Sequence, residues 1–251
     1  MQAVGEAALD EILTQEKVPV AASSAHSPLA RTAQTQPLCF VPQSASSRVV
    51  SIRWVLNHEP SWPQVHRGDY VTTDPEFKKG FAKLHEHGLN FDLQTNPHQL
   101  KDTAAFLAGF PDTKVVVNHI GCLKLPGDGL VTTAGDAQEK EDEVMKVWRE
   151  GMAAMAALPQ VYCKLSMLHY TLPFWWNSEE KKAKVKAIVL ELIAMFGANR
   201  CMFASNYPAD RVPEGTLKQH YDGFVWMVDE LSFEDKKALF HDTAAEFYRI
   251  A

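Results

Sequence analysis

The 251-residue sequence lacks the features that mark nucleic-acid-binding and membrane-spanning proteins. Lysine and arginine number 25 against 31 aspartates and glutamates, which gives a formal net charge of −6. Because there is no basic surplus to neutralise phosphates, no nucleic-acid partner is expected. The most apolar stretch, residues 185–196, contains Glu191 and is too short to cross a bilayer, so no membrane partner is expected either.

Cysteine is also scarce. The four cysteines, at positions 39, 122, 163 and 201, form no CxxC pair. This spacing is typical of isolated thiols in a reducing compartment and not of a disulfide framework or a zinc knuckle. The opening MQAVGEAALDE contains acidic residues and no basic n-region, so no secretory signal is predicted. We therefore predict a cytoplasmic location.

What the sequence does contain is enough apolar material for a sizeable core. Hydrophobic residues make up 46% and charged residues 22% of the chain, and its length suits one α/β domain or barrel.

Two segments of the chain differ in their apolar pattern. Residues 1–47 include a long stretch without apolar periodicity, which predicts a poorly packed segment or, alternatively, an ordinary irregular loop. Residues 48–251 form the patterned α/β region.

Strands and helices alternate in the patterned region. Helices are predicted to begin at Asp74-Pro75, to span 141–157 and 181–196, and to open again at Ser232. Gly88 is predicted to end the first of them. Buried strands are predicted for five short apolar runs, which are residues 49–56, 89–94, 114–119, 161–168 and 200–206. This alternation predicts parallel βαβ units, whose chemistry gathers at the carboxyl ends of the strands.

Three residues near those ends carry groups suited to chemistry. His119, in VVVNHIG, could bind a metal or transfer a proton, or could be purely structural. Arg53, in SIRWVL, needs an anion, either a substrate carboxylate or a structural ion-pair partner. Asn206, in ASNYP, can orient a carbonyl or a water but cannot accept a proton as an aspartate would.

Gln94 and His98 follow the second predicted strand, in LQTNPHQL. We predict that both bind substrate, with Pro97 fixing a turn that could direct His98 over the mouth of the site. Equally, His98 could cap the helix that begins near Gln99.

The chain resembles the amidohydrolase-related family in six ordered motifs, which are SIRWVLNHEP, HGLNFDLQTNPHQL, FPDTKVVVNHIG, VYCKLSML, RCMFASNYPAD and TAAEFYRI. Within it, the likeness is strongest to the TIM-barrel hydrolases that include the sugar lactonases and the pyrone-dicarboxylate lactonase. The resemblance extends from about residue 48 to the C-terminus. It implies a distorted (β/α)₈ barrel that hydrolyses lactones or decarboxylates ring acids, with one divalent metal or none.

The resemblance also implies roles for the matching positions. His119 matches a histidine at the end of the sixth barrel strand, a metal ligand or substrate-polarising group, so that zinc or manganese is the implied cofactor. Arg53 matches an arginine of the fourth strand, which would hold a substrate carboxylate. His98 falls in the loop after the fifth strand. Asn206 stands where metal-dependent members usually carry an aspartate that binds metal and activates water.

A second departure concerns the start of the barrel. The family opens with a strand ending in His-x-His, and none of the predicted strands ends in that pattern. Counted from the C-terminus, the five predicted strands match the fourth to eighth of the barrel. Residues 1–47 are too short for three further βα units of about 30 residues each. The sequence thus predicts a partial (β/α)₈ barrel with about five βα units.

The leading functional hypothesis is a hydrolase that opens a lactone ring of a small carboxylated or sugar-derived substrate. His119 and Asn206 would be catalytic, and Arg53, Gln94 and His98 would bind the substrate. One alternative is an inactive form that retains part of the fold, which Asn206 and the missing His-x-His strand both favour. Another is an oligomeric binding module, since open sheet edges are aggregation-prone unless a second copy or other partner covers them.

Overall fold

The computed structural model describes residues 49–59, 69–125, 137–210 and 215–250. The segment 1–47 of the sequence analysis lies outside these ranges. The described residues contain one five-stranded sheet in the order β1-β2-β3-β4-β5, and every neighbouring pair is parallel. The strands are β1 (Ser51–Val55), β2 (Asn90–Gln94), β3 (Val115–Val117), β4 (Val161–Leu165) and β5 (Cys201–Phe203).

Helices connect successive strands, as the βαβ pattern predicts. The helices of the described ranges are α1 (Tyr70–Thr73), α2 (Pro75–Glu86), α3 (Leu100–Leu107), α4 (His119–Cys122), α5 (Ala137–Ala156), α6 (Leu168–Thr171), α7 (Glu179–Phe196), α8 (Leu217–Met227), α9 (Phe233–Lys237) and α10 (Thr243–Tyr248). A π-helical turn, Ala238–Asp242, joins α9 to α10. The prediction of an α/β fold with about five βα units is confirmed.

Local signals place the helix ends close to where the sequence predicts them. The Asp74 carboxylate accepts hydrogen bonds from the backbone amides of Glu76 and Phe77, which caps α2 at its start. Gly88, with a φ of +60°, follows the end of the same helix in the left-handed conformation that favours glycine. The Ser232 hydroxyl accepts from the amide of Asp235 and caps α9. These signals work because they depend on neighbours in the chain.

The strands, in contrast, are shorter than their apolar runs. The runs 114–119 and 200–206 were predicted as strands in full, but β3 ends at Val117 and β5 ends at Phe203. His119 and Asn206 have φ values of +59° and +56°, which is left-handed backbone and not extended backbone. The apolar pattern of the third run records burial, because Asn118 and His119 stay buried past the end of β3, whereas residues 204–206 are only half-buried.

The two faces of the sheet have different covers. Alternate side chains on one face, among them Leu93, Val117 and Cys163, pack under the helices in the main apolar core. The other face is covered in part by α10, because Phe247 packs on Val116, Tyr162 and Met202. Asn90 also donates a hydrogen bond from its amide to the carbonyl oxygen of Phe247. We call this second side the inner face of the sheet.

Three of the four cysteines lie in the described ranges. Cys122, Cys163 and Cys201 are buried free thiols, as the spacing predicted, and Cys39 lies outside these ranges. Across the described ranges, the helices are all too short or too polar to cross a membrane.

Close packing between α5 and the start of α3 gives a stability prediction. A Cβ atom at Gly151 would lie 2.6 Å from Cβ of the buried Leu100 and 3.3 Å from the carbonyl oxygen of Pro97. Gly151→Ala should therefore lower the free energy of unfolding. Overpacking costs about 1–3 kcal/mol, which exceeds the gain of about 1 kcal/mol in helix propensity. Urea denaturation measures the change.

Gly109→Ala is the matched control. A Cβ atom there would meet its nearest neighbour, the Phe106 carbonyl oxygen, at 3.4 Å, which is an ordinary contact. This variant should unfold like the wild type. If Gly151→Ala were as stable as Gly109→Ala, the contact between α5 and Leu100 would be looser than the structure shows.

Candidate functional site

Four polar side chains, each on a strand or just after one, meet at the carboxyl edge of the sheet. We call this edge the mouth of the sheet. Nη2 of Arg53, from β1, lies 2.8 Å from Oε1 of Gln94, at the end of β2, and 2.9 Å from Nε2 of His119. Nδ1 of His119 lies 2.9 Å from Oγ of Ser166, which follows β4. Three predicted site residues, Arg53, Gln94 and His119, are therefore in direct contact.

The hydrogen bonds decide the protonation state of His119. A guanidinium can only donate, so Nε2 of His119 accepts from Arg53 and the single ring proton sits on Nδ1, facing Ser166. Burial, together with the positive charges of Arg53 and Lys164, lowers the pKa of His119 to about 3. The ring is neutral near pH 7. While Arg53 holds Nε2, the ring offers no N–H to polarise a substrate carbonyl.

The backbone that carries His119 is strained. The four residues of α4, His119 to Cys122, have positive φ values of 59°, 48°, 70° and 52°, so this segment is a left-handed turn and not a right-handed α-helix, and Gly121 is its only glycine. A β-branched residue such as Ile120 rarely adopts this conformation. The turn is held by burial and by Trp148, whose indole Nε1 donates to the Ile120 carbonyl oxygen at 2.7 Å. Strain held in this way is common at functional sites.

The Arg53 side chain is more exposed than the sequence predicts. The sequence predicted a guanidinium inside a buried strand that needs an anion, but its side chain is exposed at the mouth. Both of its hydrogen-bond partners among the described residues, Gln94 and His119, are neutral. Within the described ranges, Arg53 has no ion-pair partner.

Below the mouth, a buried carboxylate pairs with a partly buried ammonium group on the inner face. Asp92, the register partner of Arg53 on β2, accepts a hydrogen bond from Nζ of Lys164 at 2.5 Å. Ser51 and Tyr248 also donate to this carboxylate, at 2.6 and 2.7 Å. Burial works against ionisation, but Lys164 and these hydrogen bonds outweigh it and hold the pKa of Asp92 below its usual value.

His98 lies apart from the cluster. It is exposed, and its Nε2 lies 3.0 Å from the carbonyl oxygen of His58, in the loop after β1. The sequence allowed His98 to cap the helix that begins near Gln99. Gln99 provides the capping contact instead, because its Oε1 accepts a hydrogen bond from the Asn96 amide at 3.0 Å. His98 therefore does not cap the helix, and a substrate-binding role for it stays a prediction.

Asn206 follows β5, and the chain after it forms a turn that brings Asp210 against Asn206. Its Nδ2 donates to Oδ1 of Asp210 at 2.8 Å, and the Asp210 amide donates to the Asn206 carbonyl oxygen at 3.1 Å. Asp210 is only 6% exposed, and its Oδ2 has no hydrogen-bond partner in the described part of the chain. Burial raises the pKa of Asp210 to about 6, and the hydrogen bond from Asn206 opposes this in part.

Aromatic rings border this turn. Trp176 stacks on His169, with ring centroids 5.3 Å apart, and lies 5.1 Å from the ring of the buried His220. Tyr207 meets His220 edge-on at 5.7 Å. The segment PFWW, residues 173–176, therefore contributes the buried Trp175 to the packing and Trp176 to the rings around His220, beside Tyr207.

The implied metal can be tested against the donor set. Across the described ranges, no group of three or more His, Cys, Asp or Glu side chains could hold a metal ion. The one His-x-His triplet of the sequence, His85 to His87, lies at the end of α2 and precedes β2, at the opposite edge of the sheet from the mouth. Nε2 of His119 also faces the Arg53 guanidinium, with Lys164 nearby, and these positive charges oppose a cation there. The described residues alone do not fit a metal centre.

The sequence reasoning did not identify Asp92 or Asp210 as site residues. A signal for Asp92 was present, since an aspartate between Phe91 and Leu93 in a buried strand must be paired. Ser166 and Lys164 have their partners, His119 and Asp92, 47 and 72 residues away in the chain. Such distances leave no local pattern.

This arrangement defines a class of protein: a parallel α/β fold with its polar cluster at the carboxyl edge of the sheet. The family model described as Amidohydrolase matches residues 47–250, so the chain belongs to the amidohydrolase family.

The chain is similar over part of its length to three curated proteins. It is 34% identical to the uncharacterized protein y4mH of Sinorhizobium fredii over 181 residues, which are 72% of this chain and 54% of that protein. It is 28% identical to an L-fucono-1,5-lactonase of Burkholderia multivorans over 185 residues, 70% of this chain and 57% of the relative. The third is an L-fucono-1,5-lactonase of Burkholderia ambifaria, at 26% identity over 187 residues, 70% of this chain and 56% of the relative. The chain thus spans about half the length of these relatives.

Solved structures share the fold. An amidohydrolase from Burkholderia multivorans, crystallised with bound zinc, has a TM-score of 0.72 and 23% identity. The match covers 98% of this chain and 79% of the neighbour's chain. A Pseudomonas putida protein assigned as a 2-pyrone-4,6-dicarboxylic acid hydrolase has a TM-score of 0.60 and 18% identity. This match covers 86% of this chain and 68% of the neighbour's chain. These neighbours are TIM-barrel proteins, which confirms the prediction of a partial (β/α)₈ barrel.

The buried ion pair generates a prediction on stability. Lys164→Met removes the ammonium and leaves the Asp92 carboxylate buried without its countercharge. Breaking a buried pair in this way costs about 3–5 kcal/mol, which urea denaturation measures. Lys114→Met is the matched control, because the Lys114–Glu246 pair is exposed, with side-chain exposures of 41% and 66%. That change should cost no more than about 1 kcal/mol. Equal losses in the two variants would contradict the burial of the Asp92–Lys164 pair.

His119 generates a prediction on pH. Its pKa is about 3 in the folded protein and about 6.5 when unfolded. Between these values the unfolded state binds more protons, so acidification favours unfolding. From pH 6.5 to 5.5 the wild type should lose about 1 kcal/mol more stability than His119→Asn, measured by urea denaturation.

The wild type and His119→Asn also provide the control for this pH effect when they are compared at higher pH. Above about pH 7.5 the ring is neutral in both states, so the stabilities of wild type and variant should change in parallel. Parallel curves at all pH values would show that the ring is not held neutral by its surroundings.

Proposed function

We propose that this protein opens a lactone ring of a small carboxylated or sugar-derived substrate by adding water to the ring ester. The observation that carries the proposal is the exposed guanidinium of Arg53, held between the neutral side chains of Gln94 and His119. A cation held by neutral partners at the mouth of the sheet is suited to a substrate carboxylate.

The names of the relatives support this reaction class. Two curated relatives are L-fucono-1,5-lactonases, and one structural neighbour is assigned to a lactone that carries two carboxylates. The inactive form and the binding module have no comparable support among these proteins. A lactonase acting on a small carboxylated ring is therefore the function that the site and the relatives favour together.

In the proposed complex, the substrate carboxylate takes the place of neutral partners on Arg53. A bidentate guanidinium–carboxylate pair is stronger than the present bonds to Gln94 and His119. Nε2 of His119 then loses its donor and can accept a hydrogen bond from the substrate or from the attacking water. Ser166 keeps the ring oriented through Nδ1. Positioning of this kind lowers the barrier by holding the reactants in a near-attack geometry.

The bond changes need no reactant other than the substrate and water. The water oxygen forms a bond to the carbonyl carbon, the ring carbon–oxygen bond breaks, and the ring oxygen leaves as a hydroxyl, which gives a hydroxy acid. Asn206, in the catalytic role predicted for it, would orient the water or the carbonyl through its amide. A divalent metal would supply Lewis-acid chemistry, but the described residues do not fit one, and no step here is assigned to it.

The proposal predicts a strong dependence of activity on Arg53. Arg53→Ala should lower kcat/KM for a carboxylated lactone about 10- to 100-fold, since a hydrogen-bonded charge contributes about 1.5–3 kcal/mol. The assay follows acid release from a panel of five- and six-membered lactones, with and without carboxylates. The loss should be smaller for lactones that have no carboxylate.

Arg149→Ala is the matched control, because the Arg149 guanidinium pairs with Glu191 on the surface, away from the mouth. It should leave turnover unchanged. Absence of turnover by the folded wild type on the whole panel would overturn the proposed function. Turnover that survives Arg53→Ala undiminished would place the substrate elsewhere.

A further inference from the structure

The proposed reaction needs a group that takes a proton from the attacking water, and neither predicted catalytic residue supplies one readily. Asn206 has an amide, which is not a base near neutral pH. His119 has a free lone pair only when Arg53 turns away from Nε2. Even then, the positive charges of Arg53 and Lys164 oppose the formation of an imidazolium.

A carboxylate lies beside Asn206. Asp210 is tied to Asn206 twice, by the side-chain hydrogen bond of 2.8 Å and by the backbone hydrogen bond of 3.1 Å. The side-chain bond uses one carboxylate oxygen, Oδ1. The other oxygen, Oδ2, is buried and has no hydrogen-bond partner within the described ranges. A buried acceptor without a partner is costly and is the exception in folded proteins.

The position of this turn suits a role at the mouth of the sheet. β3 and β5 flank β4, and strands lie about 4.8 Å apart, so the ends of β3 and β5 are separated by about 10 Å. His119 follows β3 and Asn206 follows β5, at the same carboxyl edge. His119 and the Asn206–Asp210 turn therefore flank the end of β4 on its two sides.

We propose that Asp210 is the proton acceptor for the hydrolytic water and that Asn206 orients its carboxylate, an inference that rests on the proposed lactonase function. As the water oxygen bonds to the carbonyl carbon, one water proton passes to Oδ2 of Asp210. The ring carbon–oxygen bond then breaks, and Asp210 returns the proton to the ring oxygen, which leaves as a hydroxyl. The carboxylate is regenerated, so that no other reactant is required.

The electrostatics of Asp210 agree with this role. Burial raises its pKa to about 6, partly offset by the hydrogen bond from Asn206. A carboxylate with this pKa is ionised at neutral pH and is a better base than an ordinary aspartate. Arg53 lies on β1 and Lys164 on β4, whereas Asp210 follows β5, so the cations and the carboxylate acceptor come from different strands of the sheet.

The test compares Asp210→Asn with the wild type on the lactone that the wild type hydrolyses fastest. Loss of a general base should lower kcat at least about 100-fold while KM changes little. The wild-type profile of kcat/KM should fall below about pH 6, and this limb should be absent from the residual activity of the variant. Asp222→Asn, which removes an exposed carboxylate paired with Lys218, is the matched control and should behave like the wild type.

Chemical rescue guards against a variant that is merely misfolded. Asp210→Ala should regain part of its activity when formate is added, because a small carboxylate can occupy the vacated space. Formate should not rescue Arg53→Ala. Near-UV circular dichroism of each variant reports whether it is folded.

The outcomes separate the two proposals. Without turnover by the folded wild type, the proposed function fails and the role of Asp210 fails with it. If the wild type is active but Asp210→Asn keeps its kcat within about threefold and its acid limb, only the role of Asp210 is overturned. The same holds if a folded Asp210→Ala is inactive and formate restores nothing, because a purely structural loss would behave in that way.

Discussion

The structure around the site depends on one buried ion pair. Asp92 and Lys164 lie on the inner face of the sheet, on β2 and β4, and neither charge could remain there without the other. The carboxylate also accepts from Ser51 and Tyr248, so that a single group ties together β1, β2, β4 and the C-terminal helix. Since these contacts fix the strands relative to one another, they also fix the side chains at the strand ends above them.

The same pair influences the chemistry at the mouth. Burial lowers the pKa of His119, and the charges of Arg53 and Lys164 add to this effect, so that the ring stays neutral with its proton on Nδ1, facing Ser166. In the proposed reaction, positive charge is therefore present before the substrate arrives, on the side where a substrate carboxylate would bind. Asp210 lies after β5, beyond β4. Charges arranged in advance stabilise developing charge without reorganisation during the reaction, and enzymes usually owe more of their rate enhancement to this effect than to any other.

Several features could be predicted from residues that are close in the chain. Asp74 with Pro75 marked the start of a helix, and Gly88 marked its end, because caps act on amides two or three positions away. The ends of β3 and β5 could not be predicted in this way. His119 and Asn206 adopt left-handed backbone that their residue types do not require, and the surrounding packing imposes it. Trp148, 28 residues from Ile120, is one such support.

The sequence by itself determined the family, the alternation of strands and helices, and the placing of Arg53, Gln94 and His119 at strand ends. Apolar periodicity and ordered motifs carry that information locally. Only the tertiary structure decided that Arg53 meets neutral partners, that Asp92 is paired with Lys164, and that Asp210 stands beside Asn206. Each of the first two contacts joins residues more than 40 positions apart, and the third depends on how one turn folds back and is buried. Pairing and burial set charge states, and neither is a property of a residue taken alone.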